Sequence, residues 1–95
     1  MSKYEIMYIV KPGLDDEAYQ ALVERFSSLV QAQGGSVDSI DKWGTRKLAY
    51  EIDGNREGYY VVMNFTGNPA TAAELDRVMK ITDEIVRHLI VRTDR

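Results

Sequence analysis

The chain has 95 residues, of which 44% are hydrophobic and 28% charged, and its formal net charge is −3 at pH 7. A chain this short can bury one two-layer core, and its composition excludes an intrinsically disordered protein. It contains no cysteine, which excludes disulfides, thiolate catalysis and thiolate metal sites. The N-terminus lacks a signal-peptide pattern and no apolar run reaches membrane-spanning length, so we expect a single cytoplasmic domain over residues 1–95.

The charged residues are distributed unevenly along the chain. Residues 1–41 hold three Lys or Arg and seven Asp or Glu, whereas residues 42–95 hold nine and eight. A negative net charge counts against an autonomous nucleic-acid binder. Two interpretations remain open: a mildly acidic domain, which charge alone slightly favours, or a weakly polarised domain whose basic side acts together with a partner.

The first third of the chain predicts a strand followed by a helix. Residues 4–10 are rich in β-branched and aromatic types, and Pro12-Gly13 ends the strand. Both faces of this strand are apolar, with Ile6, Tyr8 and Val10 on one side and Met7 and Ile9 on the other. Such a strand is typically central in its sheet. Asp15 is the predicted N-cap of a helix that runs to about Gln33 and ends at Gly34-Gly35.

The middle of the chain predicts two strands joined by a turn. In residues 36–52 the apolar positions change parity, which a β-bulge near Ser39 or Gly44 would explain. Beyond the bulge, strict alternation puts Arg46, Leu48 and Tyr50 on one face and Lys47 and Ala49 on the other. Residues 53–58 are rich in turn-forming types, and the next strand is expected over Tyr59 to Phe65.

The last third predicts a second helix and a final strand. Asn68-Pro69 suits the start of a helix that runs to about Ile81. Thr71 and Glu74 have the spacing of a capping box one turn later. The final strand, Ile85 to Arg92, is almost continuously apolar.

The element order β-α-β-β-α-β is typical of an α+β fold, the ferredoxin-like two-layer sandwich. We therefore expect a four-stranded antiparallel sheet with two helices on one face. The other face would lie uncovered and would expose Met7, Ile9, Trp43, Tyr60 and Val62. An apolar patch of that size on a small domain usually marks an interface.

Residues 42–52 form the most unusual segment, because they mix the only tryptophan with three cations in a strand-forming run. A buried core strand does not need Lys42, Arg46 and Lys47 beside Trp43. A strand that presents a surface to a partner can use all four. We therefore interpret this segment as a candidate interaction surface.

An enzyme is not predicted. His88, the only histidine, lies in a predicted strand without an evident nucleophile, and we expect it to be structural or on the surface. Helix capping explains the acidic run Asp15-Asp16-Glu17 better than metal binding does. The sequence lacks a phosphate loop, a Gly-rich dinucleotide turn and the spacing of metal ligands.

Two other functions of the same fold stay open. An RNA-recognition motif has the same element order, but the stretch Glu57 to Met63 fits only the Gly-Tyr start of its third-strand signature. Tyr60 would be the only aromatic residue of that stretch on the open face, whereas base stacking uses two or three. A ligand-sensing homodimer is the second alternative, and it rests on the fold alone.

Four blocks resemble the sixth protein (the S-six family) of the bacterial small ribosomal subunit. They are Tyr4-Glu5-Ile6 with Pro12 downstream, Trp43 to Ile52, Gly58-Tyr59-Tyr60, and Ile81 to Arg87. The second block is similar to the family signature Gly-x-Arg-x-Leu-Ala-Tyr-Pro-Ile, with Glu51 at the position where Pro is usual. The resemblance covers essentially the whole chain. Many family members continue past Arg95 with a polar tail, and no contact of that tail is carried over.

This resemblance implies a structural protein of the small ribosomal subunit that needs no cofactor. Family members pair with the small basic eighteenth protein of that subunit, and the pair binds the central domain of the small-subunit RNA. A basic partner would supply attraction for phosphate that an acidic chain lacks, and it would cover the open sheet face.

The resemblance also implies two sets of site residues. Phosphate and sugar contacts are expected near the ends of the first and last strands and of the second helix, from Lys3, Tyr4, Lys80, Arg87 and Arg92. The protein partner is expected to contact Trp43, Arg46, Lys47, Leu48, Ala49 and Tyr50. Structural explanations stay open for four of these residues. Lys80 suits a helix C-terminus, Arg87 could pair with Glu84, and Leu48 and Tyr50 could belong to the core.

Overall fold

Residues 1–94 are described by a computed structural model of the protein. The elements are β1 (Ser2–Val10), α1 (Asp16–Ala32), β2 (Ser36–Ile52), β3 (Asn55–Gly67), α2 (Pro69–Lys80) and β4 (Ile85–Arg92). The strands form one antiparallel sheet in the order β2-β3-β1-β4. The predicted ferredoxin-like α+β fold is thereby confirmed, with β1 and β3 at the centre and β2 and β4 at the edges.

The core lies between the helices and one face of the sheet. Alternate residues of the two central strands point into it, as strand geometry requires. The fully buried members from the sheet are Ile6, Tyr8, Val10, Val61, Met63 and Phe65, and those from the helices are Phe26, Val30, Leu75 and Met79. Aromatic rings link the layers, because the Tyr8 ring meets the Phe26 ring edge-on with centroids 5.3 Å apart.

Helix α1 begins at the predicted cap, Asp15, and α2 begins at the predicted start, Asn68-Pro69. The Asp15 carboxylate accepts a hydrogen bond from the Ala18 N–H at 2.8 Å, and the Asn68 side chain accepts one from the Thr71 N–H at 3.0 Å. Both bonds satisfy an N–H group that a helix start leaves free. Neither helix within residues 1–94 is long and apolar enough to cross a membrane.

The predicted capping box at Thr71 and Glu74 is wrong. Asn68 already caps the helix one turn earlier, so Thr71 lies inside it and is fully buried. The Thr71 hydroxyl donates instead to the Gln33 carbonyl oxygen at 3.3 Å, and Glu74 pairs with Arg77. The hydroxyl therefore ties the start of α2 to the end of α1.

Strand β2 contains the predicted irregularities. Its register against β3 shifts between Val37 and Ser39 and again between Lys42 and Gly44. Gly44 has a φ of 81°, a left-handed conformation that glycine adopts without steric strain. These bulges explain the change of parity among the apolar positions.

The β2–β3 hairpin is longer than the sequence predicts. The turn consists of Asp53 and Gly54 alone, with φ values of 49° and 80°, and β3 begins at Asn55 instead of Tyr59. An Asp-Gly pair tolerates two positive φ angles, so two residues suffice to reverse the chain. Because β1 pairs with β3 only from Tyr59 onward, residues 46–58 project beyond the four-stranded part of the sheet. We call this projecting segment the arm.

Candidate partner and nucleic-acid surfaces

The sheet face opposite the helices carries an apolar strip across three strands. Met7 lies between its register partners Val62 on β3 and Leu89 on β4. The side chains nearer the edges are the most accessible, with Leu89 54% and Val91 42% exposed. The uncovered apolar face that the sequence predicts is therefore present, and it reaches further onto β4 than expected.

Ile9 departs from that expectation, since it lies on the open face but is only 4% exposed. A Cβ atom placed on Gly58 would overlap Ile9 Cγ2 and would lie 3.6 Å from Leu48 Cδ2. Ile9, Gly58 and Leu48 are thus in close contact at the base of the arm. The prediction that Ile9 is exposed is wrong because the arm covers it.

The arm bends toward the open face and shapes a depression there. This depression has a volume of about 210 Å³ and is lined by Met7, Ile9, Leu48, Ala49, Tyr50, Ile52, Tyr60 and Arg87. Leu48, Ala49 and Tyr50 all border it, so the strict alternation expected of residues 46–52 does not hold. The reason is that β2 loses its register against β3 between Lys47 and Ile52.

Tyr50 connects the arm to the far edge of the sheet. Its hydroxyl accepts a hydrogen bond of 3.0 Å from Arg87 Nη1 on β4, although the Tyr50 side chain remains 63% exposed. Arg87 therefore contacts Tyr50. The structural explanation that had stayed open, a pair with Glu84, does not hold. Tyr50 is outside the core, whereas Leu48 is half-buried at the base of the arm.

Trp43 lies on the open face at the edge of the sheet. Its ring stacks on the Tyr60 ring with centroids 6.1 Å apart and an interplanar angle of 9°. Its Nε1 donates to Asp41 Oδ2 at 3.1 Å. Trp43 is 45% exposed, so its ring packs on Tyr60 on one side and remains accessible on the other. Arg46 and Lys47 are also exposed.

The five residues expected to contact RNA lie on both sides of the sheet. Strand alternation puts Lys3 and Arg87 on the open face and Tyr4 and Arg92 on the helix side, where Tyr4 and Arg92 are register partners. Lys80 ends α2 on that same helix side. Tyr4 is 8% exposed because its ring packs on the Phe65 ring at 5.3 Å, so little of Tyr4 is accessible to a ligand.

The cations on the helix side are paired with carboxylates. Lys80 Nζ lies 2.9 Å from Asp76 Oδ2, and Arg92 Nε lies 2.8 Å from Asp94 Oδ1. Within residues 1–94, by contrast, Lys3 and Arg87 form no ion pair. Asp94 raises the pKa of Arg92 and its own pKa is lowered in return.

His88 contacts the Lys80–Asp76 pair, and no sequence pattern had indicated this contact. Its Nε2 lies 2.7 Å from Asp76 Oδ1, while the other carboxylate oxygen holds Lys80. The hydrogen bond with His88, followed by that with Lys80, lowers the pKa of Asp76. No local pattern links Asp76 and His88, since they lie on different elements 12 residues apart. In the described part of the chain, no three His, Asp or Glu side chains are grouped to hold a metal ion.

The fold and these surfaces define a small ferredoxin-like domain with an open apolar face. A sequence profile described as ribosomal protein S6 matches residues 3–92. The chain belongs to this ribosomal protein S6 family. Family membership confirms the predicted class, a protein of the small ribosomal subunit in the cytoplasm.

The chain is similar over its length to proteins named small ribosomal subunit protein bS6. The protein from Desulforamulus reducens is 55% identical over 92 residues, which cover 97% of both chains. The protein from Carboxydothermus hydrogenoformans is 50% identical over 95 residues, which cover 100% of this chain and 99% of that one.

A solved structure of ribosomal protein S6 agrees with this assignment. The crystal structure of 30S ribosomal protein S6 from Thermotoga maritima has a TM-score of 0.92 and is 33% identical; the match covers 97% of this chain and 87% of that one. An Arabidopsis thaliana protein has a TM-score of 0.59 at 14% identity, which indicates a shared fold and nothing more.

Proposed function

We propose that this protein is a structural, non-catalytic component of the small ribosomal subunit. In this proposal it binds the central domain of the small-subunit RNA together with the small basic eighteenth protein. The observation that carries the proposal is membership of the ribosomal protein S6 family over nearly the whole chain. The open apolar face supports it independently, since exposed apolar patches on small domains mark interfaces.

The proposed protein interface is the open face and the arm. Trp43, Leu48, Ala49 and Tyr50 present apolar surface, and Arg46 and Lys47 present cations at its rim. Trp and Arg are common anchors of protein interfaces. The open face also carries Glu5 and Asp41 beside the apolar strip. These acids give a basic partner complementary charge.

The proposed RNA surface surrounds the β4 edge of the sheet. Lys3 and Arg87 would contact phosphates from the open side, and Lys80 and Arg92 from the helix side, with Tyr4 beneath Arg92. Such contacts position a protein on RNA without reading its sequence. Because the chain carries a net charge of −3, we expect the isolated protein to bind RNA weakly and the pair with the basic partner to bind it tightly.

A gel-shift titration on central-domain RNA fragments tests this proposal. The protein, the eighteenth protein and their mixture are titrated separately against the same fragments. We expect the mixture to shift the RNA at concentrations where the protein alone does not. The proposal fails if the two proteins neither associate nor shift any fragment together.

Autonomous binding of single-stranded RNA is the second candidate. The stacked pair of Trp43 and Tyr60 favours it, because an exposed aromatic ring can stack on a base. This candidate expects tight binding of unstructured RNA by the isolated chain and a loss of that binding in Tyr60→Ala. If Tyr60→Ala leaves RNA binding unchanged while the pair still binds ribosomal RNA, the second candidate is excluded and the first remains.

A further inference from the structure

Two cations of the proposed RNA surface are already bound to carboxylates of the protein itself. Lys80 pairs with Asp76, and Arg92 pairs with Asp94, at 2.9 and 2.8 Å. Both contacts have the short distance of a charge-assisted hydrogen bond. A carboxylate oxygen carries the same kind of charge and accepts the same donors as a phosphate oxygen. Asp76 and Asp94 therefore bind the same cationic groups, on Lys80 and Arg92, that an RNA phosphate would bind.

These pairs are accessible from solvent and lie beside a depression. The Lys80 and Asp76 side chains are 67% and 40% exposed, and those of Arg92 and Asp94 are 48% and 26% exposed. A depression of about 430 Å³ runs between α2 and β4, and its border includes Asp76, His88 and Arg92. One member of each pair, Asp76 and Arg92, borders the depression, so a phosphate backbone that follows it would pass beside both ion pairs.

Asp76 is held in place more firmly than a lone surface acid. One of its oxygens contacts His88, whose side chain is only 14% exposed, and the other contacts Lys80. Because His88 lies on β4 and Lys80 on α2, the carboxylate is fixed between two elements. Fixing the acceptor reduces the entropy lost when the pair forms, so Lys80 is held more strongly than in a mobile pair.

We propose that Asp76 and Asp94 are specificity residues of the RNA surface that suppress binding to unrelated RNA. In the free protein they occupy Lys80 and Arg92, and RNA engages these cations only by displacing the carboxylates. A cognate site that offers several correctly placed phosphates compensates for this displacement, whereas unrelated RNA does not. This proposal rests on the proposed function, and it adds two residues that limit binding to unrelated RNA.

The test compares isosteric substitutions that change the net charge equally. Asp76→Asn and Asp94→Asn each remove one negative charge from a pair, and Asn keeps an oxygen that can accept from His88 or Arg92. Glu24→Gln is the control, since Glu24 is exposed on α1 and forms no ion pair within residues 1–94. Binding to an unstructured RNA oligomer of unrelated sequence is measured by fluorescence anisotropy at several salt concentrations.

We expect each Asp→Asn substitution to tighten binding of the unrelated oligomer by up to about five-fold relative to wild type, the range of an exposed ion pair. Glu24→Gln is expected to have a clearly smaller effect, because Glu24 lies on α1 and pairs with neither Lys80 nor Arg92. Equal gains in Asp76→Asn, Asp94→Asn and Glu24→Gln would overturn the inference. They would attribute the gain to net charge alone.

A double substitution separates local pairing from other effects of Asp76→Asn. In a Lys80→Ala background, most of the gain from Asp76→Asn should disappear, because Lys80 is the cation that the substitution releases. An unchanged gain in that background contradicts the proposal. Thermal unfolding of each variant checks that the fold is retained. If the wild type fails to bind ribosomal RNA even with its partner, the proposed function fails and the inference fails with it.

Discussion

At Gly58, on the open face, the backbone of β3 lies close against the Ile9 side chain. Gly58 is buried between Ile9 and Leu48 at the base of the arm, and any Cβ atom there would overlap Ile9 Cγ2. Gly58 lies in β3 and its φ is negative, so the requirement for glycine comes from space and not from backbone conformation. It belongs to the Gly-Tyr-Tyr block that resembles the family, and this contact gives that block a physical reason.

Gly58→Ala should lower the free energy of unfolding by about 1–3 kcal/mol, the usual effect of adding a methyl group to a packed site. Chemical denaturation at neutral pH measures the change. In an Ile9→Ala background the same substitution should be nearly neutral, since the overlapping Cγ2 atom is gone. A full loss of stability in both backgrounds would show that Ile9 is not the cause.

Tyr8 is buried at the centre of the core, and this burial, followed by the charge of ionised Tyr59, raises the pKa of its hydroxyl above the ordinary value. Below about pH 10 both the folded and the unfolded state hold the Tyr8 proton, so stability does not change with pH there on account of Tyr8. Above that pH the unfolded state loses the proton while the folded state keeps it. Stability therefore falls as the pH rises from about 10 toward the raised pKa.

Tyr8→Phe should retain more of its stability between neutral and strongly alkaline pH than the wild type does. Parallel denaturation curves at the two pH values give the difference. Tyr50→Phe is the matched control, because that ring is 63% exposed. An alkaline loss of stability that is identical in wild type, Tyr8→Phe and Tyr50→Phe would contradict the assignment to Tyr8.

At the scale of elements, the second helix depends on its N-cap residue more than the first helix does. The Asn68 side chain accepts from the Thr71 N–H and also lies 3.2 Å from the Thr71 hydroxyl. That hydroxyl reaches the Gln33 carbonyl oxygen at the end of α1. The Asn68 cap is therefore part of a connection between the helices, whereas the exposed Asp15 cap bonds only within its own helix.

Asn68→Ala should destabilise the protein by about 1–2 kcal/mol, and Asp15→Ala by about 0.5–1 kcal/mol, within the range of N-cap substitutions. Urea denaturation of both variants measures the difference. The connection predicts that Thr71→Val and Asn68→Ala are non-additive when combined. Additive effects would mean that Asn68 acts as an ordinary cap.

At the scale of the whole molecule, the unpaired and the paired cations of the β4 edge lie on opposite sides of the sheet. The open side of the β4 edge carries Lys3 and Arg87, which form no ion pair within residues 1–94, while the helix side carries cations already held by acids. Polyanion binding releases counterions in proportion to the cations that contact phosphate. The unpaired cations are therefore expected to contribute most directly to RNA affinity.

In the complex with the eighteenth protein, Arg87→Ala should weaken binding to central-domain RNA and flatten the salt dependence by about 0.7–0.9 unit, the contribution of one phosphate contact. Arg25→Ala removes the same charge from exposed α1 on the opposite layer and should leave the slope unchanged. Anisotropy titrations across a salt series measure both. Equal slopes for Arg87→Ala and wild type would remove Arg87 from the RNA surface.

The sequence by itself determined the element order, the helix cap at Asp15, the start of α2 at Asn68-Pro69 and the bulges of β2. It also determined the family, through blocks that span the chain. All of these depend on neighbouring residues. Caps, period-2 alternation and turn residues act over a few positions, so they can be read from the sequence directly.

Only the tertiary structure decided the contacts that shape the surfaces. Ile9 is covered, Arg87 meets Tyr50 and Asp76 meets His88 because the arm bends over one face and α2 packs beside β4. These partners lie 12 to about 50 positions apart, and a shift of one residue in register would turn their side chains to the other face. Local patterns carry no information on how far a hairpin projects or bends, so such contacts emerge only when the whole sheet has formed.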